Sequence, residues 1–195
     1  MKKGIVVGLV VLAVCSCLSS AKAEEKGKNL APNPGFEDGT SVPDGWSFVD
    51  PRKEGTMQME RTLEDGLSGK ASCKVSGETQ GYNALISTII KLRAPYPTKL
   101  ELSAFVKGVM SGGVQIYAWG WLKDEDPSKH CDFPGQKIIP NAEDWNQVKY
   151  LIDTKEQKLI KYTKGQEIVR IQVWFLIYGN GTVYFDDVSV TVPEE

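Results

Sequence analysis

The sequence predicts an all-β protein, built as a single two-sheet antiparallel jelly-roll β-sandwich. Three observations lead to this prediction. Short runs of alternating apolar and polar residues recur along the chain. Turn segments such as "PNPG", "EDGLSG" and "YGNG" separate these runs, and the 19 glycines and 10 prolines are spread along the whole chain. No helix-length amphipathic pattern follows the N-terminal segment. Many short strands at regular spacing are typical of a sandwich or jelly roll.

The N-terminal segment is typical of exported proteins. A basic start precedes an apolar run over residues 4–14, which has about the length of a signal-peptide core. The "AKA" that follows is a small-residue cleavage site, so residues 1–23 are predicted to be a signal peptide and residues 24–28 a short leader. A lipoprotein signal that ends before Cys17 is the alternative. We therefore expect an exported protein that is secreted, periplasmic or lipid-anchored at the cell envelope.

Charge and cysteine content exclude several classes of function. Removal of three lysines with the signal peptide leaves 20 basic and 25 acidic residues, a net charge of −5, which favours neither nucleic acid nor an anionic membrane. Cys73 and Cys131 remain, and either a disulfide or a buried free Cys73 is compatible with the pattern. Two cysteines and one histidine are too few for a cysteine–histidine zinc site.

The alternation predicts the strands in order along the domain. They are expected over residues 70–77, 83–92, 99–108, 112–122, 146–154, 167–179 and 181–192. In the third of these, one face is uniformly apolar and is predicted to point to the core, namely Leu100, Leu102, Ala104 and Val106.

Two of the strands carry aromatic and polar groups on the face away from the core. In "VQIYAWGWLKD" three aromatics stand at every second position, which a strand places on one face and a helix does not. In residues 167–179 the second face includes Arg170, Gln172 and Trp174. Aromatic residues in strands often pack in a core. Amide and charged groups rarely face a core unpaired, and here they share a strand face with the aromatic residues. This set therefore indicates a binding surface.

The chain resembles carbohydrate-binding modules of families 4, 9 and 22, the CenC-like group with a galactose-binding-like jelly roll. The similar segments are "NLAPNPGFEDGTSVPDGWSF", "EDGLSGKASCKVSGETQGYN", "LELSAFVKG", "DWNQV" and "VYFDDVSV", in this order. The resemblance runs from Asn29 to Val192, and the domain is predicted over residues 29–193. It implies non-catalytic binding of polysaccharide on one concave sheet. Such modules are often attached to glycoside hydrolases, and here no catalytic domain is seen.

The residue pattern and the resemblance together predict a ligand-binding set. It comprises Tyr82, Phe105, Gln115, Tyr117, Trp119, Trp121, Arg170, Gln172 and Trp174. The rings would stack on sugar C–H faces, and the amide and guanidinium groups would bond sugar hydroxyls. Trp46 and Trp145 are predicted to be core residues, and residues 124–141 are expected to form a wall of the cleft. The expected partner is a polysaccharide of the β-glucan or xylan type, bound by a monomer.

The "VYFDDVSV" segment raises the question of a metal. Adjacent strand residues point to opposite faces, so one of its two aspartates faces inward and needs a partner. The resemblance implies a structural Ca²⁺ held by Glu37 and Asp186, with Asp65 of "EDGLSG" as a third side-chain ligand. In the metal-free alternative, both aspartates are solvated at a strand end or bonded to backbone amides.

Two other functions compete with glycan binding. A jelly-roll polysaccharide lyase would use residue types that Arg170, Gln172, Tyr178 and His130 supply, although His130 is expected to be solvated in a loop. The chain has no GxSxG or HExxH motif, and no enzyme is predicted. A structural or adhesion protein of the cell envelope would keep the sandwich without binding glycan.

Overall fold

The computed structural model describes residues 27–53 and 55–193. These residues form an antiparallel β-sandwich, which confirms the predicted fold class. The elements are β1 (Trp46–Val49), β2 (Gln58–Thr62), β3 (Ser72–Ser87), β4 (Ile90–Lys91), β5 (Lys99–Met110), β6 (Gly113–Leu122), β7 (Cys131–Ile138), β8 (Asn146–Asp153), α1 (Gln157–Thr163) and β9 (Ile168–Thr191).

Two sheets face each other across the core, and the long strands β3 and β9 run through both. Sheet A contains β1, residues 82–87 of β3, residues 168–178 of β9, β4, β6 and β7. Sheet B contains β2, residues 72–79 of β3, residues 181–191 of β9, β5 and β8. Between its two halves, β9 passes through Gly179 and Gly181, whose φ angles of +83° and +138° favour glycine. The bend lets one strand join both sheets.

The core is filled by the inward side chains of both sheets. The residues of β5 predicted to face the core are fully buried, namely Leu100, Leu102, Ala104 and Val106. Phe175 of sheet A meets Phe185 of sheet B with ring centroids 5.0 Å apart. Complete burial of a side chain of this size contributes about 1.5–3 kcal/mol. Because inward and outward positions alternate, the remaining residues of sheet A form its outer face.

Four elements were not predicted, and two of them, β1 and β2, are strands of only four and five residues. Strand β7 contains Pro134 and Gly135, which weaken a strand pattern, but among the described residues β7 pairs only with β6 and is an edge strand. Pro134 lies opposite Tyr117, next to a register shift in the ladder, where a missing N–H is tolerated. Helix α1 has seven residues, too few to show a helical period. The strands predicted separately on each side of residues 78–82 and of residue 180 are continuous in β3 and β9.

The tryptophans predicted to lie in the core behave differently from each other. Trp46 is 6% exposed, stacks on Phe175, and its Nε1–H donates to the carbonyl oxygen of Pro32 at 3.0 Å. It is a core residue, as predicted. Trp145 is half-buried and stands outside the buried cluster, so the prediction that it fills the core is wrong.

The two cysteines of the domain are free thiols. Cys73 is fully buried in sheet B, whereas Cys131 begins β7 in sheet A. Burial raises the pKa of the Cys73 thiol, so this residue packs as a small hydrophobic group. The free-cysteine alternative is therefore confirmed.

The predicted signal peptide, its lipoprotein alternative and most of the short leader lie outside the described residues. Within residues 27–53 and 55–193, no helix has the length and apolar character needed to cross a membrane.

Candidate functional site

The outer face of sheet A brings together most of the predicted ligand-binding residues. Strands β6 and β9 are neighbours, and their register places Tyr117 beside Trp174, Trp119 beside Gln172, and Trp121 beside Arg170. Strand β3 follows on the other side of β9. We call this surface the aromatic face and define it by Tyr82, Gln115, Tyr117, Trp119, Trp121, Arg170, Gln172, Trp174 and Tyr178.

Phe105 does not belong to the aromatic face. It lies on β5, which pairs with β8 and with the second half of β9 in sheet B. The prediction that Phe105 shares the surface with the other aromatics is wrong. Alternation assigns a side chain to the inner or outer face of its own strand, but it does not say which sheet the strand joins.

Trp119 lies at the centre of a ring cluster on this face. Its ring centroid is 4.1 Å from that of Trp174, with the planes inclined by 47°. On another side it stacks on His130, with centroids 4.0 Å apart and planes inclined by 25°. His130 is exposed in the loop that directly precedes β7, as expected, and it belongs to the segment expected to form a wall of the cleft. Its stacking on Trp119 was not predicted, because β7, which sets its position, was not predicted.

One end of the aromatic face is closed. Trp121 is only 8% exposed, because the Arg170 guanidinium lies 5.0 Å from its ring centre and His130 meets its edge. Arg170 Nη2 in turn donates to the carbonyl oxygen of Pro127 at 2.8 Å. The first part of the expected wall, residues 124–130, thus folds over Trp121, while the following residues form β7.

The other end of the aromatic face is more open and is built from tyrosines. Tyr82 and Tyr178 are half-buried, with ring centroids 6.0 Å apart. Tyr178 donates its hydroxyl proton to Gln115 Oε1 at 3.2 Å, and Gln115 Nε2 donates to the carbonyl oxygen of Gly135 at 3.1 Å. The ammonium group of Lys137 lies 4.1 Å from the centre of the Tyr178 ring. These contacts hold the rings in fixed positions before any ligand arrives.

The remaining polar groups of the face are also oriented by the protein. Tyr117 donates its hydroxyl proton to Asp132 Oδ1 at 2.6 Å. Burial, and then this bond to a carboxylate, raise the pKa of Tyr117, so its hydroxyl is protonated at neutral pH. Gln172 Nε2 donates to the carbonyl oxygen of Ser87 at 2.8 Å. Fixed rings next to oriented amide and guanidinium groups can pack on a sugar ring and bond its hydroxyls without reorganising.

The predicted metal ligands are only partly brought together. Glu37 Oε1 accepts the backbone N–H groups of Lys70 at 2.6 Å and Ala71 at 2.9 Å. Asp186 Oδ2 accepts those of Leu67 at 2.7 Å and Ser68 at 3.2 Å. Both carboxylates therefore hold the same turn against the end of sheet B.

These two carboxyl groups differ in their acidity. The hydrogen bonds from the backbone N–H groups of Ala71 and Lys70, of which that from Ala71 has the larger effect, lower the pKa of Glu37. Asp186 is fully buried, and its desolvation raises its pKa to about 6, although the hydrogen bonds that it accepts from backbone N–H groups act to lower it. A cation beside Asp186 would favour its ionised form.

The third predicted ligand points elsewhere. Asp65 Oδ2 lies 2.8 Å from Lys107 Nζ in an ion pair on the outer face of sheet B. Among residues 27–53 and 55–193, no three histidine, cysteine, aspartate or glutamate side chains are grouped so that they could hold a metal ion. The residues that fit a hard cation are therefore Glu37 and Asp186, with backbone carbonyl oxygens of the turn as the remaining candidates.

Comparison with known proteins shows which fold the chain shares. No family model and no curated protein matches it. Several solved structures do. The CBM22-1 xylan-binding domain of Paenibacillus barcinonensis Xyn10C matches with a TM-score of 0.55 at 14% identity, over 83% of this chain and 92% of that domain. TmCBM61 in complex with β-1,4-galactotriose matches with a TM-score of 0.51 at 14% identity, over 86% and 99% of the two chains.

A further match is the C-terminal family 22 carbohydrate-binding module of Clostridium thermocellum Xyn10B. It has a TM-score of 0.52 at 12% identity, over 82% of this chain and 91% of that module. At these identities the likeness establishes the fold. The chain has the jelly-roll β-sandwich of carbohydrate-binding modules.

Proposed function

We propose that this protein binds polysaccharide on the aromatic face without cleaving it. The observation that carries the proposal is the clustering of half-buried rings, amides and a guanidinium on one face of sheet A, across β3, β9 and β6. The structural neighbours support it, since one is described as a xylan-binding domain and another was solved with β-1,4-galactotriose. Binding of extracellular polysaccharide also agrees with the predicted export of the chain.

The aromatic face suggests where a sugar ring would pack. Trp174, Tyr82 and Tyr178 are half-buried and lie towards the open end, whereas Trp121 is covered. Sugar rings present C–H groups that pack against aromatic faces. We therefore expect the main contacts at the open end, with Trp119 available where His130 moves aside. A shallow surface buries little of a ligand, so the affinity should be modest, roughly micromolar to millimolar.

The arrangement favours binding over catalysis. The residues that a lyase would use are divided between the two ends of the face. His130 contacts Trp119 and Trp121, whereas Tyr178 is bonded to Gln115, several residues away along β6. At about 3.3 Å per strand residue, the separation between Gln115 and Trp119 is roughly 13 Å. A general acid and base must both lie within reach of one substrate atom.

Affinity electrophoresis against a panel of soluble polysaccharides tests the proposal. The wild type should be retarded on at least one glycan, and Trp174→Ala should lose that retardation. Phe105→Ala is the matched control, because Phe105 is a half-buried aromatic residue of β5 in sheet B, away from the aromatic face. Absence of retardation on every glycan would favour the envelope-protein alternative. Release of an unsaturated product absorbing in the ultraviolet would identify a lyase.

We also propose that Ca²⁺ binds at the turn that Glu37 and Asp186 hold, with a structural role. The support is chemical. A buried carboxylate whose pKa is raised by desolvation is an unfavourable anion that a hard cation would stabilise. The turn lies at the end of sheet B, so the ion would strengthen the sandwich without touching a ligand on the aromatic face.

A further inference from the structure

The two outer faces of the sandwich differ in whether their cationic side chains are paired with carboxylates. On sheet B, lysines are matched with carboxylates at close range. Their partners and N–O distances are Glu60 for Lys74 at 3.0 Å, Asp65 for Lys107 at 2.8 Å, Asp153 for Lys99 at 3.5 Å and Glu101 for Lys149 at 3.7 Å. The positive charge of this face is therefore compensated within the protein.

The aromatic face carries cations without such partners. Lys137 Nζ lies over the Tyr178 ring at 4.1 Å, and the Arg170 guanidinium lies over the Trp121 ring at 5.0 Å. Among the residues that the structure describes, no carboxylate oxygen lies within 4.0 Å of the charged group of Lys137 or Arg170.

Asp132 is the acidic residue of β7, and its carboxylate is engaged elsewhere. It accepts the hydroxyl proton of Tyr117 at 2.6 Å and lies 3.9 Å from His130 Nε2. Lys137 and Arg170 therefore carry positive charges that no carboxylate of the described residues pairs with at close range, although the chain as a whole has a formal net charge of −2.

We infer that the polysaccharide bound by the aromatic face is acidic, and that Lys137 and Arg170 receive the carboxylates of its uronic acid residues. This inference rests on the proposed function and names its substrate class. Lys137 stands at the tyrosine end and Arg170 at the Trp121 end, so cations border the rings on which sugars would pack. A guanidinium matches a carboxylate with two parallel hydrogen bonds, and an ammonium over a ring keeps its remaining donors for a ligand.

The ligand test compares one polymer with and without its charge. Polygalacturonate is the acidic probe, and its methyl-esterified form has the same backbone without most of the carboxylates. Neutral xylan and galactan complete the panel. We expect at least about tenfold tighter binding of polygalacturonate than of the esterified polymer, and a clear weakening between 0.05 and 0.5 M salt, because exposed charges are screened. Equal binding of the esterified polymer would overturn the inference.

The protein test compares one lysine on each outer face. Lys137→Met should weaken binding of polygalacturonate about 3- to 10-fold, and Lys149→Met, which removes the same charge from sheet B, should change it less than about twofold. Arg170→Gln provides a second loss-of-charge variant, at the other end of the aromatic face. Equal effects of Lys137→Met and Lys149→Met would overturn the inference, since they would indicate a response to net charge alone.

Two outcomes separate this inference from the proposed function. Binding of neutral xylan or galactan without preference for polygalacturonate would overturn the acidic substrate class and leave polysaccharide binding in place. Retardation on none of the polymers would overturn both. Dextran sulfate distinguishes the source of the negative charge, and retention on it equal to that on polygalacturonate would overturn the assignment to carboxylates.

Discussion

The imidazole of His130 lies flat against the indole of Trp119, with ring centroids 4.0 Å apart and planes inclined by 25°. The contact joins the segment before β7 to the middle of β6, and it covers one side of a ring that a ligand would otherwise meet. The segment from residue 124 to His130 thus controls how much of the aromatic face is open.

His130→Ala should expose the Trp119 indole. We expect stronger quenching of tryptophan fluorescence by acrylamide in this variant, because the stacked ring no longer shields the indole. The chain has five tryptophans, so Trp119→Phe is the background that isolates the effect. In that background His130→Ala should change quenching much less, through its edge contact with Trp121 alone. Equal quenching of the wild type and His130→Ala would contradict the stacking.

Phe175→Ala should destabilise the sandwich strongly. Phe175 is fully buried between Trp46 and Phe185 and joins the two sheets. Truncation of a buried phenylalanine typically costs about 3–5 kcal/mol in the free energy of unfolding. Tyr162→Ala, on the exposed side of α1, should change it by less than about 0.5 kcal/mol. Urea unfolding measures both, and similar midpoints for the two variants would contradict the core assignment.

Asp186 should make stability depend on pH between about 4 and 6. Burial raises its folded pKa to about 6, above the value of about 3.9 expected in the unfolded chain. In this window the folded state binds more protons, so the contribution of Asp186 to stability falls as pH rises and is constant above pH 6. Asp186→Asn removes this dependence.

The stability difference between Asp186→Asn and the wild type should therefore shift in favour of the variant as pH rises from 4 to 6. The full shift is about 3 kcal/mol for a difference of about two pKa units. Thermal or urea unfolding in the presence of a chelator measures it. A difference between the two proteins that does not change with pH would show that Asp186 titrates normally.

Calcium should raise the melting temperature of the wild type, and a chelator should lower it. The ion favours the ionised form of Asp186, so it should also flatten the pH dependence just described. Stabilisation should grow with ion concentration above the dissociation constant. Glu37→Gln should reduce the calcium response, whereas Asp65→Asn, which breaks the ion pair with Lys107, should retain it. Identical melting curves with calcium and with chelator would refute the calcium proposal.

The assignment of side chains to the two faces of each strand was the part of the structure that the sequence predicted best. A period of two residues follows from backbone geometry, and it correctly placed Leu100, Leu102, Ala104 and Val106 of β5 in the core and united Trp119 with Gln172 and Trp174. Sheet membership depends on long-range pairing instead, which is why Phe105 was assigned to the wrong surface.

The closed end of the aromatic face was the part most difficult to predict from the sequence. It depends on β7, whose Pro134 and Gly135 weaken the local strand signal and are accommodated only because β7 is an edge strand beside a register shift. The stacking of His130 follows from that tertiary pairing. A lone histidine in a polar loop carries no local feature that predicts it.

The most direct test of polysaccharide binding by the aromatic face follows the indole N–H signals of the five tryptophans by NMR during titration with a glycan. Single Trp→Phe variants assign the signals. Trp119 and Trp174 lie on the aromatic face, whereas the Trp46 indole is bonded to Pro32 in the core and serves as an internal reference. We predict saturable shifts of the Trp119 and Trp174 signals with little change at Trp46. Binding that leaves the Trp119 and Trp174 signals in place would contradict the account.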